Sequence, residues 1–170
     1  MKPNIPVHLN FMQKANNGCE IQGKWPIKQL KRVSDILLSE QGEINIELKF
    51  DRAGRNPFIE GHISADLKLK CQRCMQAMDF PLDSHFKLGL VLNEAQMDEL
   101  PDIYEPYLVE DENNHLPDMI EDELLLALPL VPMHEFDCSE YVNTLNSEQP
   151  TEEVKQEKKE NPFSVLKDLL

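Results

Sequence analysis

Between Lys87 and Lys155 the chain contains neither lysine nor arginine. Residues 88–154 hold 18 Asp and Glu, a charge of −18, whereas residues 1–87 hold 13 Lys and Arg against 10 Asp and Glu. Nucleic-acid binding along the acidic block is excluded, because phosphate contacts draw their affinity from cations. Glycine is scarce, with six among 170 residues, and there is no Gly-rich phosphate loop, no G-x-S-x-G and no H-E-x-x-H. Nor is any Ser–His–acid or Cys–His–acid set supported locally. The chain does not read as an enzyme. No apolar run approaches the roughly 18 residues of a membrane span. The first ten residues lack the basic start and apolar core of a secretory leader. These absences point to the cytoplasm, where the four cysteines are thiols or metal ligands rather than disulfides.

What is there centres on Cys71-Gln72-Arg73-Cys74. Before it Ile59, Ile63, Ala65, Leu67 and Leu69 recur at period two, and after it Met78, Phe80, Leu82, Phe86, Leu88, Leu90 and Leu92 do the same. Such alternation marks half-buried strands, and places the cysteine pair in the turn between two of them. Ile44, Ile46, Leu48 and Phe50 add a third strand, which completes an antiparallel meander. Ile5 to Leu9 alternates weakly, as an edge strand does, and Asn16-Asn17-Gly18 marks a turn. Helical spacing of Ile27, Leu30, Val33, Leu37 and Leu38 behind Pro26 predicts a helix over about 27–39. A second is predicted from Leu116 to Leu128, with acids crowding its start and Pro129 closing it, and a short one over 93–100. The fold class is therefore α+β: an antiparallel β-meander packed with two or three helices. Residues 1–142 form this single domain. Residues 143–160 are polar and read as a disordered linker, and 161–170 form a short amphipathic tail able to dock on a partner or on its own core.

Three sets of residues are candidates for function. Cys71 and Cys74 read most simply as plain thiols in a strand turn. Joined by His134 and Cys138 they would instead form a Cys3His set suited to structural zinc, although the second pair lacks the tight C-x2-C spacing. A redox pair fits less well, because no βαβ pattern follows. Cys19, alone after a turn, is expected to be a small buried residue. The second set is basic: Lys28, Lys31 and Arg32 on the predicted helix, Arg52 and Arg55 in the following loop, and Arg73 between the cysteines, all able to meet phosphates. The third is acidic: Asp118, Glu121, Asp122 and Glu123 at the start of the last helix. They lack a basic or histidine partner nearby for acid–base chemistry, and dipole complementarity accounts for most of them.

Four stretches together resemble the bacterial YceD family, the large ribosomal RNA subunit accumulation proteins. They are Cys71-Gln72-Arg73-Cys74, Leu100-Pro101-Asp102-Ile103-Tyr104-Glu105-Pro106, the run from Glu121 to His134, and Asn161-Pro162-Phe163. The resemblance implies a non-enzymatic factor needed for synthesis, processing or stability of 23S ribosomal RNA and so for large-subunit assembly. It carries over no catalytic residues. Some members outside the proteobacteria have further cysteines downstream that look able to complete a zinc site. This chain keeps only His134 and Cys138 there, a departure that counts against a metal cofactor. Charge then divides the mechanism. Either the acidic surface, with Asp118, Glu121 and Asp122, binds a basic ribosomal protein or assembly factor, or the six basic residues touch the RNA directly. The acidic balance favours the first.

Overall fold

In a computed structural model of the chain, residues 5–139 are described. The predicted linker and tail lie outside them, as does the end of the predicted domain.

The strands that alternation predicts are present and long. β3 (Glu43–Ala53), β4 (Asn56–Lys70) and β5 (Ala77–Val91) form the antiparallel meander. Two strands extend it. β2 (Glu20–Pro26) pairs antiparallel with β3, and β6 (Glu105–Leu108) pairs parallel with β5, giving the order β2-β3-β4-β5-β6. β2 is faint in the sequence because Gly23 interrupts its inward series Ile21, Gly23, Trp25. A separate ribbon pairs β1 (His8–Leu9) with β7 (Asn114–His115). The expected edge strand over Ile5–Leu9 thus shrinks to two residues.

One face of the sheet is apolar. Ile44, Ile46, Phe50, Ile59 and Ile63 are fully buried there, with Leu48, Leu67 and Leu88 nearly so. Gly61 leaves room on that face for the ring of its cross-strand partner Phe86, which passes where a Cβ would stand. α1 (Phe11–Asn17) covers β3 and β4, and buries Phe11 and Ala15 one turn apart. Its ends are set locally: the Asn10 side chain accepts from the Gln13 N–H at 2.8 Å, and Gly18 closes it in the left-handed conformation. α3 (Leu116–Ala127) follows β7 and packs on β5, burying Leu116, Met119, Ile120 and Leu124. Leu128 turns extended because it precedes Pro129.

The helix expected over 27–39 is a correction. The chain makes a 3-10 turn at Ile27–Gln29, breaks at Leu30 (φ −101°, ψ 85°), and forms only one helical turn, α2 (Lys31–Ser34). That break lets Ile27, Leu30 and Val33 all enter the core. The apolar spacing is real, but it reflects three inward anchors of an irregular segment. The chain then leaves helical geometry, and the Leu38 N–H donates to the Lys68 carbonyl on β4. The short helix expected over 93–100 is a single 3-10 turn, Glu94–Gln96, capped by Asn93.

Candidate metal centre and charged surfaces

Where β4 passes into β5, a four-residue turn brings both cysteine sulfurs inward. The Met75 N–H donates to the Cys71 carbonyl, the Cys71 N–H donates to the Gln76 carbonyl, and Met75 takes a left-handed φ of 62°. Cys71 and Cys74 are buried. The segment leaving α3 runs back over this turn. It is fixed there by the Gln72 N–H donating to the Pro132 carbonyl at 2.8 Å and by Arg73, whose guanidinium donates to the Phe136 carbonyl at 3.2 Å. Asp137 stands 3.6 Å from that same guanidinium. This path delivers His134 and the buried Cys138 to the cysteine pair.

The four donor atoms then lie within 4.8 Å of one another. Cys71 Sγ is 3.8 Å from Cys138 Sγ, and Cys74 Sγ is 3.5 Å from His134 Nδ1. His134 Nε2 is 3.2 Å from the Ala77 carbonyl, and a proton donated there leaves Nδ1 bare towards the sulfurs. The Arg73 N–H donates to Cys71 Sγ at 3.4 Å. Burial pushes the Cys71 thiol up, but the N–H groups of Cys74, His134 and Arg73, with the Cys74 side chain, outweigh it and bring it down to about 5. Cys138 goes the other way, to about 11, through burial and its contacts with Cys74 and Cys71. Cys19 stays away, partly buried against the main core.

The basic candidates do not gather. Arg55 and Arg73 flank opposite ends of the 15-residue β4, about 50 Å apart at the rise of an extended strand. Three of the six have partners within the chain. Arg73 holds the cysteine turn. Arg52 donates to Asn16 and to the Arg55 carbonyl. Arg32 reaches α3, with Nε 3.1 Å from Glu121 and Nη2 donating to Asp122 and to the Asp118 carbonyl. Lys28 and Lys31 are exposed beside it.

Those contacts also place the acidic trio. Glu121 is 5 % exposed, and its carboxylate accepts from the Arg32 backbone N–H at 2.9 Å as well as from the guanidinium. Asp122 shares the same arginine, while Asp118 is exposed and 2.8 Å from His115 Nδ1. Two of the three therefore anchor α3 to α2. Glu123, which the helical stripe puts at the edge of the apolar face, is buried; burial, then the charges of Glu105 and Asp122, raise its carboxyl to about 7. A longer run of exposed acids lies earlier, at Glu94, Asp98, Glu99, Asp102 and Glu105, and at Glu110, Asp111 and Glu112.

One cluster was invisible in the sequence. His62 and His85 are cross-strand partners on the polar face of the sheet, stacked at 4.1 Å with Asp83 at 3.2 and 3.5 Å from their Nε2 atoms. Only strand register brings them together. Their rings are 6° from parallel, so their lone pairs run alongside each other rather than converging on one ion.

Residues 59–170 match the family described as "Large ribosomal RNA subunit accumulation protein YceD". A Haemophilus influenzae protein named "Large ribosomal RNA subunit accumulation protein YceD" is 32 % identical over 172 residues, spanning 99 % of this chain and 97 % of the relative. No solved structure matches the chain.

Proposed function

The chain belongs to the YceD family, and from that membership we propose that it is a cytoplasmic, non-enzymatic factor for accumulation of large-subunit ribosomal RNA. It acts on 23S ribosomal RNA through a basic ribosomal protein or assembly factor that docks on its acidic side. The observation that carries this reading is the string of exposed carboxylates from Glu94 to Glu112, which no lysine or arginine interrupts. Such a field steers cationic partners and repels phosphate.

A second feature supports a protein partner over RNA. At the end of α3 and in the segment that follows, Leu126, Leu130, Val131 and Phe136 are each more than half exposed. Exposed apolar side chains beside charged ones are the composition of protein interfaces. Direct RNA binding has less support, because Arg32, Arg52 and Arg73 are occupied within the chain and Arg55 shares a hollow with Glu99. Glu121 and Asp122 belong to the fold more than to the docking surface, so the test must spare them.

The test is capture of large-subunit proteins on the tagged full chain, with and without ribonuclease. Three proteins are compared: wild type, Glu110→Lys/Asp111→Lys/Glu112→Lys, and Lys28→Glu/Lys31→Glu. A basic large-subunit protein or assembly factor retained after nuclease, lost in the acidic triple variant and kept in the lysine variant, is expected. Loss of every specific partner with the RNA, together with failure of the lysine variant, makes direct RNA contact the mechanism. Complementation of large-subunit ribosomal RNA levels by the same variants ties the contact to the cellular role.

A further inference from the structure

We propose that Cys71, Cys74, His134 and Cys138 bind one zinc ion as a closed structural site, which fastens the segment after α3 onto the β4–β5 turn. Sulfurs about 2.3 Å from a tetrahedral ion stand about 3.8 Å apart, and a sulfur and an imidazole nitrogen about 3.6 Å apart. The observed separations are 3.8 Å for Cys71–Cys138 and 3.5 Å for Cys74–His134. A disulfide would need sulfurs at about 2.05 Å, and all four cysteines are free.

The surroundings match as well. His134 presents Nδ1, and its other nitrogen is held by the Ala77 carbonyl, the arrangement that fixes tautomer and ring orientation in metal-bound histidines. The Arg73 N–H on Cys71 Sγ is the backbone contact a thiolate ligand draws. Three sulfurs and one imidazole form a soft donor set that selects zinc over magnesium or calcium, and four protein donors leave no open position for catalysis. The three cysteines form a small buried cluster of their own, backed by Met78 and separate from the main core. Zinc gives this satellite a bond network that its few apolar contacts do not supply.

The site has a structural consequence. Its donors come from two segments, with Cys71 and Cys138 67 residues apart in sequence. Zinc therefore sets the course of Pro129–Asp137, where the exposed Leu130, Val131 and Phe136 sit.

The test uses the full chain purified under anaerobic conditions from cells grown with zinc. Elemental analysis is expected to find close to one zinc per chain, and cobalt reconstitution of the stripped protein to give the intense visible bands of tetrahedral thiolate coordination. Cys138→Ala should lose the metal. His134→Cys should keep it, with the cobalt spectrum moving from three sulfurs to four. Stripping zinc is expected to speed amide exchange at Gln72 while leaving the β3–β4 ladder protected. Wild-type protein with four titratable thiols, no stoichiometric zinc and no cobalt bands overturns the proposal whatever the variants do. So does zinc that survives loss of Cys138 unchanged.

Discussion

Glu123 gives the sharpest test of the packing around α3. Its carboxyl is buried 8 % exposed on the helix, and burial with the charges of Glu105 and Asp122 raises it to about 7. In the unfolded chain the group returns to an ordinary glutamate value of about 4.3. The folded state therefore binds a proton more tightly than the unfolded state, and stability from this residue is fully present below about pH 4 and is lost as pH rises through 7. Between pH 5.5 and 8.5 the loss at face value is about 2 kcal/mol, and partial solvation of the group reduces it to about 1 kcal/mol. Both pH values lie above the pI of about 4.7, so the protein remains anionic throughout. Glu123→Gln removes the titration while keeping size and hydrogen-bonding capacity. Urea unfolding at the two pH values is expected to show the variant gaining on wild type by about 1 kcal/mol at the higher pH, visible as a larger midpoint difference at unchanged slope. A stability of the variant relative to wild type that is flat with pH, or that falls as pH rises, refutes the assignment of a buried, charge-crowded carboxyl.

Two further substitutions test contacts that hold the same helix and the sheet beneath it. Arg32→Ala removes the guanidinium from Glu121, which is 7 % exposed at its side chain, and should cost about 1–2 kcal/mol at pH 7 after allowance for the half-exposed arginine. Arg32→Lys should restore only part of this, since a single ammonium cannot span Glu121 and Asp122; urea unfolding of the two variants decides it. Gly61→Ala forces the Phe86 ring from its seat and should cost about 1–3 kcal/mol. In the double variant Gly61→Ala/Phe86→Leu that cost should fall well below the sum of the two single effects, and a double-mutant cycle that comes out additive refutes the close contact.

The strands were legible because each has one wet and one dry face. Ile44 to Phe50 and Ile59 to Leu69 alternate cleanly, and the turn at Cys71 follows from where the two patterns meet. α3 was legible from its acids and its proline. The irregular segment after Pro26 was not. Ile27, Leu30 and Val33 recur at helical spacing, yet that spacing cannot distinguish a continuous helix from three anchors on a broken one. α1 escaped because its signals, Asn10 and Gly18, are single residues flanking a seven-residue element. The parallel pairing of β6 with β5 depends on a connection through 92–104 that has no sequence period.

Charge was legible as a total and misleading in detail. The count of acids after Lys87 shows a negative block, but not that Glu121 turns inward to Arg32 and Glu123 into the core. A helix that carries four acids in its first two turns spends them in three different ways. Asp118 faces water, Glu121 and Asp122 share one arginine, and Glu123 is buried, its carboxyl raised first by that burial and then by Glu105 and Asp122. The same helix leads into Pro129–Cys138, the segment that reaches the cysteine turn. The pair Arg32–Glu121 at one end and the four-donor cluster beyond the other therefore constrain a single stretch of chain, and that stretch carries the exposed Leu126, Leu130, Val131 and Phe136. Binding energy at such a surface depends on how little order must be created at contact. Fastening both ends in advance lowers that cost, so loss of either fastening should weaken partner binding even where the variant touches no exposed carboxylate.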